Sequence, residues 1–405
     1  MPTNSTLGGS GDLPVIPAPR PPRCPLKPPA EFAAWRESQG LQRASWHGEP
    51  TWVVSRYQDI RAALVDPRLS ADTLSELMIP TGTDDRPPLI FPRIDDPEHN
   101  RLRRMMTRDF TYRRCEAMRP QIQGLVDGFL DDMVASEPPV DLVRAFALPV
   151  PSLVICLLLG VPYDDHEFFQ RHSTTGLDGR ASEEQKAAAG IALFGYMSDL
   201  VARKEREPGD DLMSRLITDY VVTGQLSRET AAMNAMLLLQ AGHETTASMI
   251  ALGTLALLQH SDQLARLRQT DNPAAIANTV EELMRYLTIV HSLVDRVALE
   301  DLTVGGQPIS AGDKLLMNLP AGNWDPCFVD NPDSLEIDRN TQGHLGFGYG
   351  AHQCIGQNLA RVELQIAVGS LVRRLPGLQL AVPPEELKFQ NNKEIYGIQE
   401  LPVRW

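Results

Sequence analysis

From Asp96 onward the apolar positions of this chain recur with a helical period, interrupted only by short β-branched runs. Asp96 followed by Pro97 reads as a helix start, a capping side chain and then a ring at the first helical position. Helical patterns cover Gln121–Ala135 and Ala187–Arg206, and Ser227 opens one that continues to about Gln259. At ~1.5 Å per residue that last helix is expected to be roughly 48 Å long, far beyond the average globular helix. Strand signals are few. Thr51–Ser55 (TWVVS) is the best early one, Leu302–Ile309 with Gly305-Gly306 reads as a hairpin, and Lys314–Leu319 as a further strand. A loop rich in Asn, Asp, Pro and Gly follows, another helix begins just after Cys354, and short strands and turns close the chain from Leu378. The pattern predicts a mainly α protein with small peripheral β-sheets, one domain over residues 23–405. Residues 1–22 read as a flexible, proline-rich lead-in.

Composition narrows the function. Length alone would allow two or three domains, but no repeat or linker divides the pattern. The formal charge of −14, from 52 acidic against 38 basic residues, argues against general nucleic-acid binding, which needs a cationic face. Five cysteines, an odd number without C-x-x-C spacing, argue against a disulfide framework or structural zinc and fit a reducing cytoplasm. The N-terminus lacks the basic start and apolar core of a signal peptide. No uninterrupted apolar run reaches about 18 residues, so no membrane span is expected.

The densest chemistry surrounds Cys354, in Phe347-Gly348-Tyr349-Gly350-Ala351-His352-Gln353-Cys354-Ile355-Gly356-Gln357-Asn358-Leu359-Ala360-Arg361. Glycines at 346, 348 and 350 permit tight turns. The helical pattern from Ile355 to Leu371 puts Cys354 at a helix start, where free amides favour a thiolate. Gly356 leaves room for a flat group, and Phe347 can shield the sulfur. The plain alternative is a buried free cysteine beside a glycine-rich turn. Inside the long helix, Ala241-Gly242-His243-Glu244-Thr245-Thr246 places a glycine, an acid and two threonines where apolar residues are cheaper. A threonine hydroxyl bonded back to the carbonyl four residues earlier would account for part of this. Glu282 and Arg285 stand three apart on a helix, a weak signal alone. His99 and Arg103 share a helix face.

Together these segments resemble the cytochrome P-450 family. The cysteine loop fits its haem-binding signature, F-G-x-G-x-H-x-C-x-G-x-x-L-A-R, without departure. The resemblance spans about Arg23 to Trp405. It is finest, through Ala147–Gln170 and Glu400-Leu401-Pro402-Val403, to soluble actinobacterial hydroxylases of sterols, vitamin D compounds, macrolides, statins and drugs. It implies a triangular fold with haem b between the Ser227–Gln259 helix and the cysteine loop. Cys354 is then the axial iron ligand, with Phe347, Gly348, Gly356, Ala360 and Ala241 against the haem. His99, Arg103, Arg296 and His352 bind its propionates, Thr245 and Glu244 deliver protons, and Glu282, Arg285 and Arg339 form a structural trio. The implied reaction is monooxygenation of a medium-to-large lipophile. Leu77, Met78, Ile90, Leu237, Gln240, Val290, Leu293 and Ile395 are the expected pocket residues, and His172–Ala189 a mobile lid. A chain of this length leaves no room for a flavin or nicotinamide module, so a ferredoxin with its reductase is the expected electron source. Docking is expected near Arg101, Arg104 and Arg361, on a monomeric enzyme. Haem-thiolate peroxygenases and nitric oxide reductases are alternatives, but such relatives usually depart from the acid–threonine pair, which this chain keeps. A non-catalytic haem sensor is the other, and Glu244 and Thr245 argue against it.

Overall fold

The structure, a computed structural model, describes residues 13–73, 89–177, 181–391 and 393–405. A central helix, Arg228–Gln259, organises it. Ser227 stays extended and its side chain accepts the Thr230 amide, satisfying one of the free donors of the first turn. From Met249 to Leu257 every position is buried, so apolar residues occupy all faces of the helix rather than a stripe. Helices Pro149–Leu159, Glu183–Arg206, Pro273–Leu287 and Gln357–Arg374 pack around it. Pro149–Leu159 approaches especially closely: a Cβ on Gly242 would stand 3.2 Å from Ile155 Cδ1. That close approach explains a glycine in mid-helix.

A six-stranded sheet lies beside the helices, in the order Val15–Ile16, Gln42–Trp46, Glu49–Val54, Lys314–Met317, Asp295–Ala298, Leu69–Ser70. Glu49–Val54 runs parallel to Lys314–Met317 with Val53 opposite Leu316, and Arg296 faces Leu315 on the next, antiparallel strand. Leu302–Val304 and Gln307–Ile309 form the expected hairpin around Gly305-Gly306, both at positive φ. Lys314–Met317 ends earlier than expected because Asn318 caps the short helix Leu319–Asn323.

Three expectations are corrected. Residues 13–22 are not a loose lead-in: Val15–Ile16 pairs with Ser45–Trp46, and Ile16, Ala18 and Arg20 are buried. His172–Ala189, expected as a lid between two helices, is itself helical at both ends: His172–Leu177 ends one helix and Glu183–Ala189 begins the next. A capping box of Ser182 with Gln185 starts that second helix four residues before the predicted point. The helix after Asp96 is Glu98–Thr107, and Asp96 accepts the Asn100 amide at 3.1 Å from just outside it.

Candidate active site

Cys354 ends the glycine-punctuated loop, three residues before the start of the helix Gln357–Arg374. Gly348 and Gly350 take φ values of 71° and 77°, and a Cβ on Gly350 would stand 2.8 Å from the Leu64 carbonyl oxygen. These turns return the Cys354 amide to the Phe347 carbonyl at 2.9 Å. The residue is exposed, and the amides of Gly356 and Gln357 and the cations of Arg103 and Arg361 act on its sulfur. Crowding by protein pushes the Cys354 thiol up, and those amides and cations offset this only in part. The helix start therefore acts in the expected direction without producing a thiolate alone; a coordinated metal ion would complete the deprotonation. A Cβ on Gly356 would lie 3.9 Å from the sulfur, so its absence keeps that approach clear. Burial also drives the Cys115 and Cys156 thiols up, to about 11 and about 12, and both residues are enclosed. Neither is placed to serve as a ligand.

Above the loop, His99 and His352 stack with ring centroids 4.0 Å apart. Burial pushes His99 down, and burial with the neighbouring His99 and Arg296 pushes His352 down to about 3. His99 is fully buried, yet neither ring nitrogen makes a hydrogen bond; Asp96 Oδ1 is 3.4 Å from Nδ1 without suitable geometry. His352 Nδ1 and Arg296 Nη2 are likewise buried without partners. Arg103 closes the group by donating to the Gln353 carbonyl at 2.6 Å. Buried donors without acceptors are rare in folded proteins, and several gathered at one place mark a missing anion. Two carboxylates of a haem match this donor set in number and charge, so the residues present fit the implied group.

Glu282 and Arg285 form a bidentate pair at 2.7 and 2.8 Å with both side chains wholly buried, and Arg285 also donates to the carbonyls of Asn323, Pro332 and Ser334. Arg339 Nη1 is 3.9 Å from Glu282, and its stronger contact is Glu336 at 2.8 Å. One partner escaped the sequence reading. Glu281 binds Arg361 at 2.7 and 3.0 Å and His344 at 3.1 Å, while the Arg361 guanidinium lies 4.5 Å over the Phe347 ring. Arg361 is thus committed to the cysteine loop rather than presented as a docking cation. Arg101 is tied to Glu98 and the Gln225 carbonyl, whereas Arg104 is exposed.

On the opposite side, Leu237, Gln240, Ala241 and Glu244 follow helical spacing along one face of the central helix. Ala241 is exposed although Leu238, Leu239 and His243 beside it are buried, so a space opens there. Asn234 draws in the segment bearing Ile90, donating to the Leu89 carbonyl and accepting the Phe91 amide. Arg93 bonds the Leu293 carbonyl and pairs with Asp295, and a β-bridge joins Val290 to Ile395. These links tie the segment bearing Ile90 to the central helix and to the stretch of Leu293, and join Val290 to Ile395; Leu77 and Met78 lie outside the described residues. Thr245 donates its hydroxyl to the Ala241 carbonyl at 2.7 Å, and Glu244 pairs with Lys393 at 3.1 Å, a partner that no sequence pattern announced. Among the described residues no helix is long and apolar enough to cross a membrane.

A model of the family described as Cytochrome P450 matches residues 275–398. Cytochrome P450-SU2 of Streptomyces griseolus is 47% identical over 400 residues, 97% of this chain and 98% of the relative. Vitamin D3 dihydroxylase of the same organism is 41% identical and covers both chains fully. The crystal structure of mycinamicin VIII C21 methyl hydroxylase from Micromonospora griseorubida, bound to mycinamicin VIII, superposes with a TM-score of 0.89 at 40% identity, over 97% of this chain and all of that one. A fold built on the central helix, a cysteine loop with its donor cluster, and full-length similarity of this degree agree: the chain belongs to the cytochrome P450 family of haem monooxygenases.

Proposed function

We propose that this enzyme hydroxylates a medium-to-large neutral lipophile, sterol-like, polyketide or drug-like, with electrons from a separate ferredoxin and its reductase. Haem b would be the cofactor, with the Cys354 sulfur holding its iron. The observation that carries this reading is the cluster of buried, unpartnered donors on His99, His352 and Arg296 next to the cysteine loop. With Arg103 they would hold the two propionates by charge-assisted hydrogen bonds. Phe347, Gly348, Gly356, Ala360 and Ala241 would help hold the haem, while Glu282, Arg285 and Arg339 brace the chain. When bound, a thiolate-ligated haem supplies reductive activation of O2, so that one oxygen enters a C–H bond and the other leaves as water after two electrons and two protons. The protein's part is to bind, to exclude water and to move those protons. Glu244 is the acid, and the Thr245 hydroxyl beside it is the last carrier toward the cavity. While Thr245 donates to the Ala241 carbonyl its oxygen can only accept; handing on a proton requires that bond to open.

The pocket reading rests on its wall. Ile90, Leu237, Val290, Leu293 and Ile395 are apolar, with Gln240 among them. The cations at its edge, Arg93 and Lys393, are paired with Asp295 and Glu244. A neutral apolar guest suits such a wall better than an anionic one. Relatives named for vitamin D3 and for a mycinamicin support the same class. Exposed Arg104 is the best docking cation for an acidic ferredoxin. Optical titration of the ferric protein with sterol-like, macrolide and drug-like compounds, against small terpenes and free fatty acids, tests the reading. The bulky neutral compounds should bind tightest, and tighter responses from small or anionic ligands would overturn it.

A further inference from the structure

Arg20 comes from the proline-rich stretch before the first helix, yet it is only 2% exposed. Among the described residues every acceptor it binds is neutral. Its guanidinium donates from Nε to His291 Nε2 at 2.9 Å and from Nη1 to the Leu26 carbonyl at 2.9 Å. From Nη2 it donates to the carbonyls of Leu287 and Thr288, at 2.6 and 3.1 Å. The same group lies 4.2 Å over the Tyr396 ring, and the Arg20 backbone amide donates to Asn391 Oδ1 at 3.2 Å. Burial pushes the guanidinium down to about 10, so it stays charged at neutral pH. Because arginine can only donate, His291 Nε2 carries a lone pair, and the ring is neutral with its proton on Nδ1.

These contacts bracket the bridge between Val290 and Ile395. The helix Pro273–Leu287 ends at Thr288, whose φ of 34° is in the left-handed region that a β-branched residue rarely takes. Arg20 holds the carbonyl there, while the Thr288 hydroxyl donates to the Arg285 carbonyl at 2.7 Å and accepts from Asn323 Nδ2 at 2.8 Å. Past Val290, His291 is held at its ring by Arg20 and at its amide by the Glu394 carbonyl, at 2.8 Å. Tyr396, next to Ile395, donates its amide to the Ile289 carbonyl at 2.7 Å and its hydroxyl to the Pro25 carbonyl at 2.8 Å. Its ring stacks on His291 with centroids 5.0 Å apart. Side chains do not fill the space behind this stack: a cavity of about 430 Å³ opens between Pro19, Pro22, Pro384, Leu387, Phe389 and Asn391. On that side the bridge rests on the bonds through Arg20 rather than on close packing.

We propose that Arg20 is a positioning residue for substrate: from a segment outside the pocket it fixes, through His291 and Tyr396, where Val290 and Ile395 stand, and so which lipophiles the pocket accepts. The inference rests on the proposed function, which assigns those two side chains to the pocket wall. Loss of the guanidinium frees the Thr288 carbonyl and the His291 ring together, and the turn at Thr288 relaxes. The wall then moves, while the cysteine loop, built on other elements, stays.

The test uses the haem-loaded protein and two iron-binding probes. Imidazole needs only the iron; clotrimazole is an imidazole carrying three aromatic rings that must lie against the wall. Optical titration gives both affinities, and the ferrous carbon monoxide band reports the cysteine side. In the wild type clotrimazole should bind far more tightly than imidazole. Arg20→Met should shrink that ratio roughly fivefold or more, with imidazole affinity kept within about twofold and the carbon monoxide band unchanged. His291→Leu should reproduce the loss, which keeps the test decisive if Arg20→Met does not load haem. The double variant should lose no more than either alone. His291→Gln, whose amide oxygen can accept from Arg20, should keep the ratio. Equal weakening of both probes would overturn the inference, because Arg20 would then support the fold as a whole. So would losses that multiply in the double variant, or a loss in His291→Gln as large as that in His291→Leu. If the wild type itself does not prefer clotrimazole, the roomy apolar pocket fails and the inference with it; if it does and both Arg20→Met and His291→Leu keep that preference, the inference alone fails.

Discussion

Replacing Glu281 by Gln removes the carboxylate that joins His344 Nε2 at 3.1 Å to two guanidinium nitrogens of Arg361 at 2.7 and 3.0 Å. Burial alone would push this carboxyl up, but the bonds from His344 and Arg361 outweigh it and hold it at about 2, against an ordinary 4.5. A gap of that size corresponds to roughly 3 kcal/mol of native-state stabilisation. The side chain is only 16% exposed, so solvent screening trims the figure modestly. Because the folded value lies below the unfolded one, the stabilisation is complete above pH 4.5 and is lost as pH falls toward 2. Urea unfolding of the wild type and Glu281→Gln, each followed from neutral pH into acid, isolates the effect because the other carboxylates cancel in the difference. The variant should be less stable by roughly 3 kcal/mol at neutral pH, with the gap closing in acid. A neutral-pH gap below about 1 kcal/mol, or one that persists unchanged in acid, would refute the reasoning.

Arg285→Met leaves Glu282 charged in a wholly buried site and should cost about 3–5 kcal/mol in urea unfolding. Arg101→Gln, at an exposed pair, should cost at most about 1 kcal/mol, and equal losses for the two would contradict the burial argument. Thr245→Ala should bind substrate normally yet divert reducing equivalents to peroxide; an unchanged ratio of product to nicotinamide consumed would leave Thr245 only its bond to the Ala241 carbonyl. Arg104→Glu should slow the first electron from an acidic ferredoxin, and added salt should slow the wild type. Indifference of that rate to both would move the docking face elsewhere.

The long helix and the cysteine loop were readable because their signals are local. Ser227 caps within three residues, and the glycines at 348 and 350 take the turns that their spacing suggested. What escaped depends on partners far away in the chain. Arg20, 271 residues from His291, donates to its Nε2 at 2.9 Å and lies 4.2 Å over the Tyr396 ring. No periodicity marks such a residue, and its proline-rich surroundings pointed to a loose tail instead. Glu281 precedes the more visible Glu282, and only the packing of His344 and Arg361 against it reveals its part. Lys393 meets Glu244 from 149 residues away, and nothing local to either residue announces the pair. At His172–Ala189, expected as a lid, the Ser182 capping box opens a helix at Glu183.

The central claim is that Cys354 is the thiolate ligand of a bound haem, and the ferrous carbon monoxide spectrum tests it most directly. The wild type should show the red-shifted band of thiolate ligation, and so should proteins in which Cys24, Cys115, Cys156 or Cys327 is replaced. Cys354→His should keep some haem and lose that band. A Cys354→His protein that retained it would contradict the assignment.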